Sequence, residues 1–245
     1  MYIQYLQIML QLIKGDCLEE MKQLPDCSVD IVIADLPYGR FKHLEWDKAI
    51  DLEGMWKQIW RISKPNTPIF LFGDMKFGIQ LINSQPKHFK YEIVWNKMKS
   101  TTPLLSRKRL GKATEYIFIF YKKQPIYNYA KYHKIKKVIT DNAKNNNKIV
   151  GGKYSKEVDI HNNYEPQLPT NIINEVLPKK VTEKPQGILE FILKYFSNEG
   201  DVCLDMCMGS GSCGVACHTL GRKFIGIELN DEHFQIAKER LENIN

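Results

Sequence analysis

An aspartate, a leucine, a proline and a tyrosine stand in succession at Asp35-Leu36-Pro37-Tyr38, with Gly39 behind them. These types in this order suit one task, which is gripping a flat base that carries an exocyclic amine. The lone pair of such an amine is delocalised into the ring and is a poor nucleophile. Two acceptors aimed at its hydrogens, the Asp35 carboxylate and the Leu36 carbonyl, would favour a more tetrahedral nitrogen. Pro37 fixes φ and holds both acceptors in place. The Tyr38 ring can stack on the base, for roughly 1–3 kcal/mol. A base paired inside a duplex would first have to be flipped out, at a cost of about a few kcal/mol. The same five residues also read as the exit of a strand, with Asp35 accepting from turn N–H groups and Tyr38 covering the core. Taken alone, the stretch admits both.

A second stretch is rich in glycine. Gly209, Gly211 and Gly214 satisfy the pattern GxGxxG, after an apolar run that ends Leu204-Asp205-Met206. Such a turn opens a helix whose first backbone N–H groups are left for a ligand. Glu228 follows Gly209 by 19 residues, the position from which a carboxylate accepts the ribose hydroxyls of a bound nucleoside. This turn alone also fits a dinucleotide-dependent oxidoreductase.

The elements around these residues pose a problem of order. A strand over 202–206, a helix over 212–220 with Gly221 as C-cap, a strand over 224–228 and a helix over 231–241 form one β-α-β-α unit. Only 34 residues follow Gly211, too few for the rest of a sheet. The missing strands lie in the N-terminal half. Residues 28–34 form a short apolar run ending in Asp35, typical of a buried parallel strand. A helix over 52–62 and strands over 68–73, 89–95 and 116–121 follow. The expected fold is therefore α/β, a Rossmann-like sheet, circularly permuted so that the cofactor half comes last. Between residues 124 and 178 the alternation fades into a Tyr-, Asn- and Lys-rich stretch, read as an inserted, mostly irregular basic module.

Composition is that of an ordinary globular chain, 43% apolar and 26% charged over 245 residues. The net charge of +7 is unevenly placed. Residues 121–180 hold 12 lysines against five acids, and the other 185 residues balance at 23 of each sign. Within that balance, residues 97–112 add six bases and no acid. One contiguous basic region on a body otherwise short of positive charge suggests a face for a polyanion. The apolar start MYIQYLQIMLQLI lacks a basic leader and is too short to span a bilayer, so a cytoplasmic protein is expected, with no membrane partner. Cys203, Cys207, Cys213 and Cys217 contain no CxxC pair, and are read as reduced, apolar core residues with no metal.

Taken together and in this order, the two motifs resemble one family, the amino-group DNA methyltransferases that use S-adenosylmethionine, in the permuted arrangement called the beta class. "IKGDCLEEMKQLPDCSVDIVIADLPYG" is similar to the family's N-terminal catalytic block. "TEKPQGILEFILKYFSNEGDVCLDMCMGSGSCGVACHTLGRKFIGIELNDEHFQIAKERL" is similar to its cofactor block. The resemblance implies that residues 1–121 are the catalytic half, 122–180 an inserted target-recognition region and 181–245 the cofactor-binding half. It implies that Asp35, Leu36, Pro37 and Tyr38 hold the target base, and that an aspartate in first place leans toward adenine. Asp205, Gly209 and Gly211 would form the turn around the methionine part of the cofactor, together with Met206, Cys207 and Ser210. Glu228 would take the ribose hydroxyls. Asp16, with Cys17 beside it, would meet the cofactor's adenine amine, and Thr182, Lys184 and Pro185 match the family's Thr-x-Lys-Pro segment beside the cofactor. Double-stranded DNA is the implied partner, with a homodimer and a cognate restriction nuclease compatible with it. Three positions depart from the family pattern: Leu36-Pro37 replaces a double proline, Asp205-Met206-Cys207 replaces Asp-Pro-Phe, and Lys180-Val181 replaces His-Pro. The same chemistry on cytosine, or a catalytically silent DNA-binding relative, are the alternatives.

Overall fold

A computed structural model describes residues 10–39, 49–105, 107–138, 149–150, 153–154, 161–178 and 183–244. By internal contacts these fall into two compact units, residues 1–127 with 171–245, and residues 128–170.

The larger unit is built on an eight-stranded sheet. Its strands are β1 (Leu10–Lys14), β2 (Ile31–Asp35), β3 (Ile69–Gly73), β4 (Phe89–Asn96), β5 (Thr114–Phe120), β10 (Ile172–Asn174), β11 (Val202–Asp205) and β12 (Lys223–Glu228). They lie in the order β1-β12-β11-β2-β3-β5-β4-β10. Every pairing is parallel except those of β5, which runs against both β3 and β4. β11 and β12, late in the chain, thus sit between β1 and β2 from its start. This is the permuted arrangement that the motif order requires.

Period-two alternation sorts the central strands into two cores. Ile31 and Ile33 of β2, Phe70 and Phe72 of β3, and Ile117 and Ile119 of β5 belong to one cluster. Val32, Ala34, Ile69, Leu71, Phe118 and Phe120 belong to the other. Strands buried on both faces read as continuous apolar runs, which is why these were legible as strands. One face is covered by α5 (Gln186–Phe196), α6 (Ser212–Thr219) and α7 (Asp231–Glu242). The other is covered by α2 (Leu52–Ile62) and α3 (Met75–Ser84). In α2 the buried residues Met55, Trp56, Ile59 and Ile62 recur at helical spacing, and Asp51 caps the start by accepting from Glu53 and Gly54 N–H. A short helix, α1 (Cys17–Glu20), follows β1.

The smaller unit contains α4 (Tyr129–Tyr132) and two antiparallel ribbons. One pairs β6 (Lys134–Val138) with β9 (His161–Glu165), and the other pairs β7 (Ile149–Val150) with β8 (Lys153–Tyr154). A lysine-rich stretch such as Lys-Ile-Lys-Lys-Val shows no clean alternation, so its strand character was hidden in the sequence. Residues 122–127 and 171–178, which the sequence reading placed with the insertion, cluster with the larger unit. Among the described residues no helix is long and apolar enough to cross a membrane.

Candidate active site

The sheet changes winding direction between β11 and β2. From β11 the chain crosses through α6 to β12 on one side, and from β2 through α2 to β3 on the other. In open α/β sheets, ligands bind in the crevice outside the strand ends at such a point. Asp205 ends β11 and Asp35 ends β2, so a carboxylate stands on each side. Both line a cavity of about 740 Å³, within the range of small-molecule sites.

One wall is the glycine turn. Gly209 and Gly211 have φ of 53° and 79°, the left-handed region that favours glycine. A side chain at Gly211 would also place its Cβ 3.1 Å from Leu241 and 3.2 Å from Ala237 of α7, so this spacing answers to packing as well as to binding. The Gly209 N–H donates to Glu228 Oε2 at 2.9 Å, and the Asn230 N–H to Oε1 at 2.7 Å, which fixes the buried Glu228 carboxylate at the end of β12. Asp16 lines the same cavity and caps α1, its Oδ1 accepting from the Leu18 N–H at 2.8 Å. Glu183 accepts from Arg240 at 3.1 Å and from the Ser210 hydroxyl at 3.3 Å, tying the segment before α5 to the turn.

Asp205 is buried, and its Oδ1 accepts from the Cys207 N–H at 3.1 Å. Burial pushes its pKa up to about 8; the Asp35 and Glu228 carboxylates add to the rise, while the Cys207 N–H and the Lys184 ammonium oppose it. The folded protein therefore binds a proton here that the unfolded chain, with its ordinary aspartate, releases near pH 4. The stability this contributes is whole below pH 4 and drains away as pH rises through 8. Asp205→Asn is expected to flatten that loss. Melting curves between pH 5 and 8.5 should show the wild type falling relative to the variant, and parallel curves would exclude the effect.

The other wall is the Asp35 segment. The Tyr38 hydroxyl donates to Asp35 Oδ1 at 2.7 Å, and its ring lies against Phe77 with centroids 4.8 Å apart. The Lys184 ammonium pairs with Asp35 Oδ2 and stands 3.4 Å from Glu115 Oε1. Lys97 pairs with the other oxygen of Glu115 at 2.6 Å. The result is a chain of alternating charge, Asp35–Lys184–Glu115–Lys97, with Lys184 5.1 Å from the centroid of the Phe72 ring. Burial alone would lower the Lys184 pKa, but the Asp35 and Glu115 carboxylates raise it above the usual lysine value. Burial alone would raise Glu115, but the two ammoniums hold it below the usual carboxylate range.

Asp16, Cys17, Asp35, Leu36, Pro37, Tyr38, Lys184, Asp205, Met206, Cys207, Gly209, Ser210 and Glu228 all line this cavity. Gly211 and the buried Pro185 are not among its lining residues. Thr182 lies outside the described residues. Glu115, Phe72 and Asp74, which no sequence motif marks, line the cavity, and so does Lys97. Glu115 carried a usable signal, an acid at the head of the apolar run Tyr-Ile-Phe-Ile-Phe. Lys97 heads the basic run 97–112 that suggests a polyanion face, but its side chain is only 12% exposed and pairs with Glu115.

Cys203, Cys213 and Cys217 are buried with their thiols within 4.8 Å of one another. The Cys203 and Cys217 thiols are driven well above the ordinary cysteine pKa by burial first, and Cys213 by its hydrogen bond with Cys203 first.

A doubly wound, permuted sheet that brings a glycine turn and Asp35-Leu36-Pro37-Tyr38 into one crevice is the architecture of a Rossmann-like methyltransferase. The family model described as DNA methylase, N6_N4_Mtase, matches residues 29–239, and the chain belongs to that family. It is thus a DNA methyltransferase, with S-adenosylmethionine as the methyl donor. The Type II methyltransferase M.HpaI of Haemophilus parainfluenzae is 28% identical over 253 residues, covering 95% of this chain and 74% of that protein. The DNA adenine methyltransferase YhdJ of Escherichia coli K12 is 26% identical over 250 residues, covering 94% and 82%. The crystal structure of the M1.HpyAVI–SAM complex superposes with a TM-score of 0.63 at 26% identity, covering 95% of this chain and all of that one.

Proposed function

We propose that the chain methylates the exocyclic amine of a flipped adenine at a specific site in duplex DNA. The observation that carries this reading is that Asp35 and Glu228, far apart in sequence, line one cavity at the switch point of the sheet. The residues fit S-adenosylmethionine: Asp16, Glu228 and the carboxyl group of Asp205 line the cavity with the glycine turn, a donor and acceptor set suited to a ligand with hydroxyls and amines. Glu228 would hold the ribose hydroxyls, Asp16 the adenine amine, and the turn from Asp205 through Gly211 the methionine part. When bound, the cofactor supplies an electrophilic methyl group on a sulfonium centre.

The protein's own contribution is position and polarity. The Asp35 carboxylate and the Leu36 carbonyl accept from the two hydrogens of the target amine, and Pro37 fixes the backbone between that acceptor pair and Tyr38. Holding the reactants in line supplies on the order of 7–11 kcal/mol in well-oriented systems. The Tyr38 ring stacks on the base, which requires its hydroxyl to yield the bond it makes to Asp35 here. An aspartate in first place, and the adenine named for one relative, support adenine over cytosine. The lysine-rich unit of residues 128–170 is assigned the reading of bases around the target. The Type II name of another relative supports a cognate restriction nuclease as partner. Family resemblance supports a homodimer, and a cytoplasmic setting follows from a DNA substrate.

The test is tritiated methyl transfer from S-adenosylmethionine to unmethylated duplex DNA, followed by nucleoside analysis. Label in methylated adenine is expected; label in cytosine would correct the target. No label with cofactor bound would leave a silent relative or another substrate. Glu228→Ala is expected to weaken cofactor binding about 10- to 100-fold, the worth of hydrogen bonds to a charged group. Titration calorimetry measures it, and an unchanged Kd would remove Glu228 from the cofactor.

A further inference from the structure

The connection between β4 and β5, residues 97–113, does something the reaction described so far does not use. Its neck is pinned: the Lys97 N–H donates to the Ala113 carbonyl at 2.7 Å, and the Thr101 N–H to the Lys112 carbonyl at 2.7 Å. The Lys112 N–H returns a bond to Thr102 Oγ1 at 3.0 Å. Beyond the neck, the Lys108 and Arg109 N–H groups donate to the Leu105 carbonyl, closing a compact tip. On that tip Leu104 is 95% exposed and Leu110 94% exposed. Arg107, Lys108 and Arg109, also exposed, stand between them. At the neck, Thr101, Thr102 and Lys112 line the same cavity as Asp35.

Single exposed leucines are ordinary on protein surfaces. Two almost wholly exposed leucines on one hydrogen-bonded tip are less so, and here they are interleaved with cations and carried at the rim of a pocket meant for an extruded base. A base drawn out of a duplex leaves an unstacked gap. Apolar side chains inserted between base steps fill such gaps and kink the helix, while flanking cations hold the phosphates.

We propose that Leu104 and Leu110 form an apolar wedge that enters the duplex beside the target base and holds the gap open while the base occupies the Asp35 pocket. The occupant of this surface is double-stranded DNA, argued from the cations that flank the leucines and from the pocket at the neck. The inference rests on the methyltransferase reading above. It adds two residues that touch no reacting atom and act only on the cost of unpairing.

That division of labour makes a differential test available. The modified site is first mapped in DNA methylated by the wild-type protein. Two duplexes carrying the site are then compared, one fully paired and one with an abasic nucleotide opposite the target base. Leu104→Ala/Leu110→Ala is expected to lose about tenfold or more in single-turnover rate on the paired duplex, because the target base must be unpaired there. On the abasic duplex, where that cost is gone, it should return close to wild type. Leu104→Met/Leu110→Met, still apolar and able to insert, should keep most of the activity on both. Equal loss on both duplexes would overturn the wedge in favour of plain DNA contact. Undiminished activity on both would reduce the leucines to surface residues. Loss accompanied by a shift in sedimentation coefficient would make the tip a contact between copies of the chain. Should the wild type transfer no methyl to DNA at all, the enzyme reading itself fails; any of the other contrary outcomes sinks the wedge alone.

Discussion

Asp35→Ala is expected to lower the rate of methyl transfer by about 10²–10³, the usual cost of deleting one group aimed at charge that develops in a transition state. The target nitrogen becomes positive as it takes the methyl group, so an anion in hydrogen-bond reach of its hydrogens is worth more at that moment than in the ground state. Deleting it should therefore fall on the single-turnover rate and leave cofactor affinity close to wild type. The fold should tolerate the change. The Asp35 side chain is 34% exposed, and Lys184 keeps Glu115 as a partner. Transfer near the wild-type rate in a folded variant would take the carboxylate out of the chemistry. A large loss of cofactor affinity with unchanged turnover would move it to the cofactor side of the cavity.

Glu115→Ala is expected to be strongly destabilising. Glu115 is the common counter-ion of Lys97 and Lys184, and all three side chains are less than one-fifth exposed. Removing one partner of a buried ionic set strands the others, typically at about 3–5 kcal/mol. For a domain of this size that corresponds to roughly 6–20 °C in Tm. The distinguishing experiment adds Lys97→Met to Glu115→Gln. If the damage comes from stranded charge, the pair together should be less destabilised than Glu115→Gln alone; strict additivity would assign it to lost packing. The pH dependence carries a sign as well. Glu115 is held below the usual carboxylate range, so its stabilisation is complete above that range and is lost as pH falls through the lowered value. Activity should suffer along with stability, because Lys184 would be left to Asp35 alone.

The strands that carry the site were legible because they are buried on both faces, and a segment such as Ile31–Asp35 can hardly be anything else. The glycine turn was legible because φ of 53° and 79° admits few other residues. The permutation was legible from arithmetic, a glycine turn too near the end of the chain to have its sheet behind it. What stayed hidden was pairing at a distance. Nothing local to Lys184 says that its ammonium is buried against Asp35, 149 positions away. Nothing local to Lys97 separates it from the exposed bases that follow it. The ribbons of the smaller unit were hidden for another reason, since stretches such as Lys-Ile-Lys-Lys-Val and His-Asn-Asn-Tyr-Glu show no alternation of apolar and polar residues.

The adjacency of β11 and β2 has a consequence on the ribosome. Val202 donates its N–H to the Asp30 side chain at 3.0 Å across 172 positions of sequence. At translation rates of about 5–20 residues per second, β2 waits roughly 10–30 s for the strand that completes its hydrogen bonding. Until then the nascent chain holds Ile31, Val32 and Ile33 on an open strand edge, the kind of template that other chains can pair with. Bringing the two carboxylates together in this order gives the chain a high contact order and a slow, exposed interval in its synthesis.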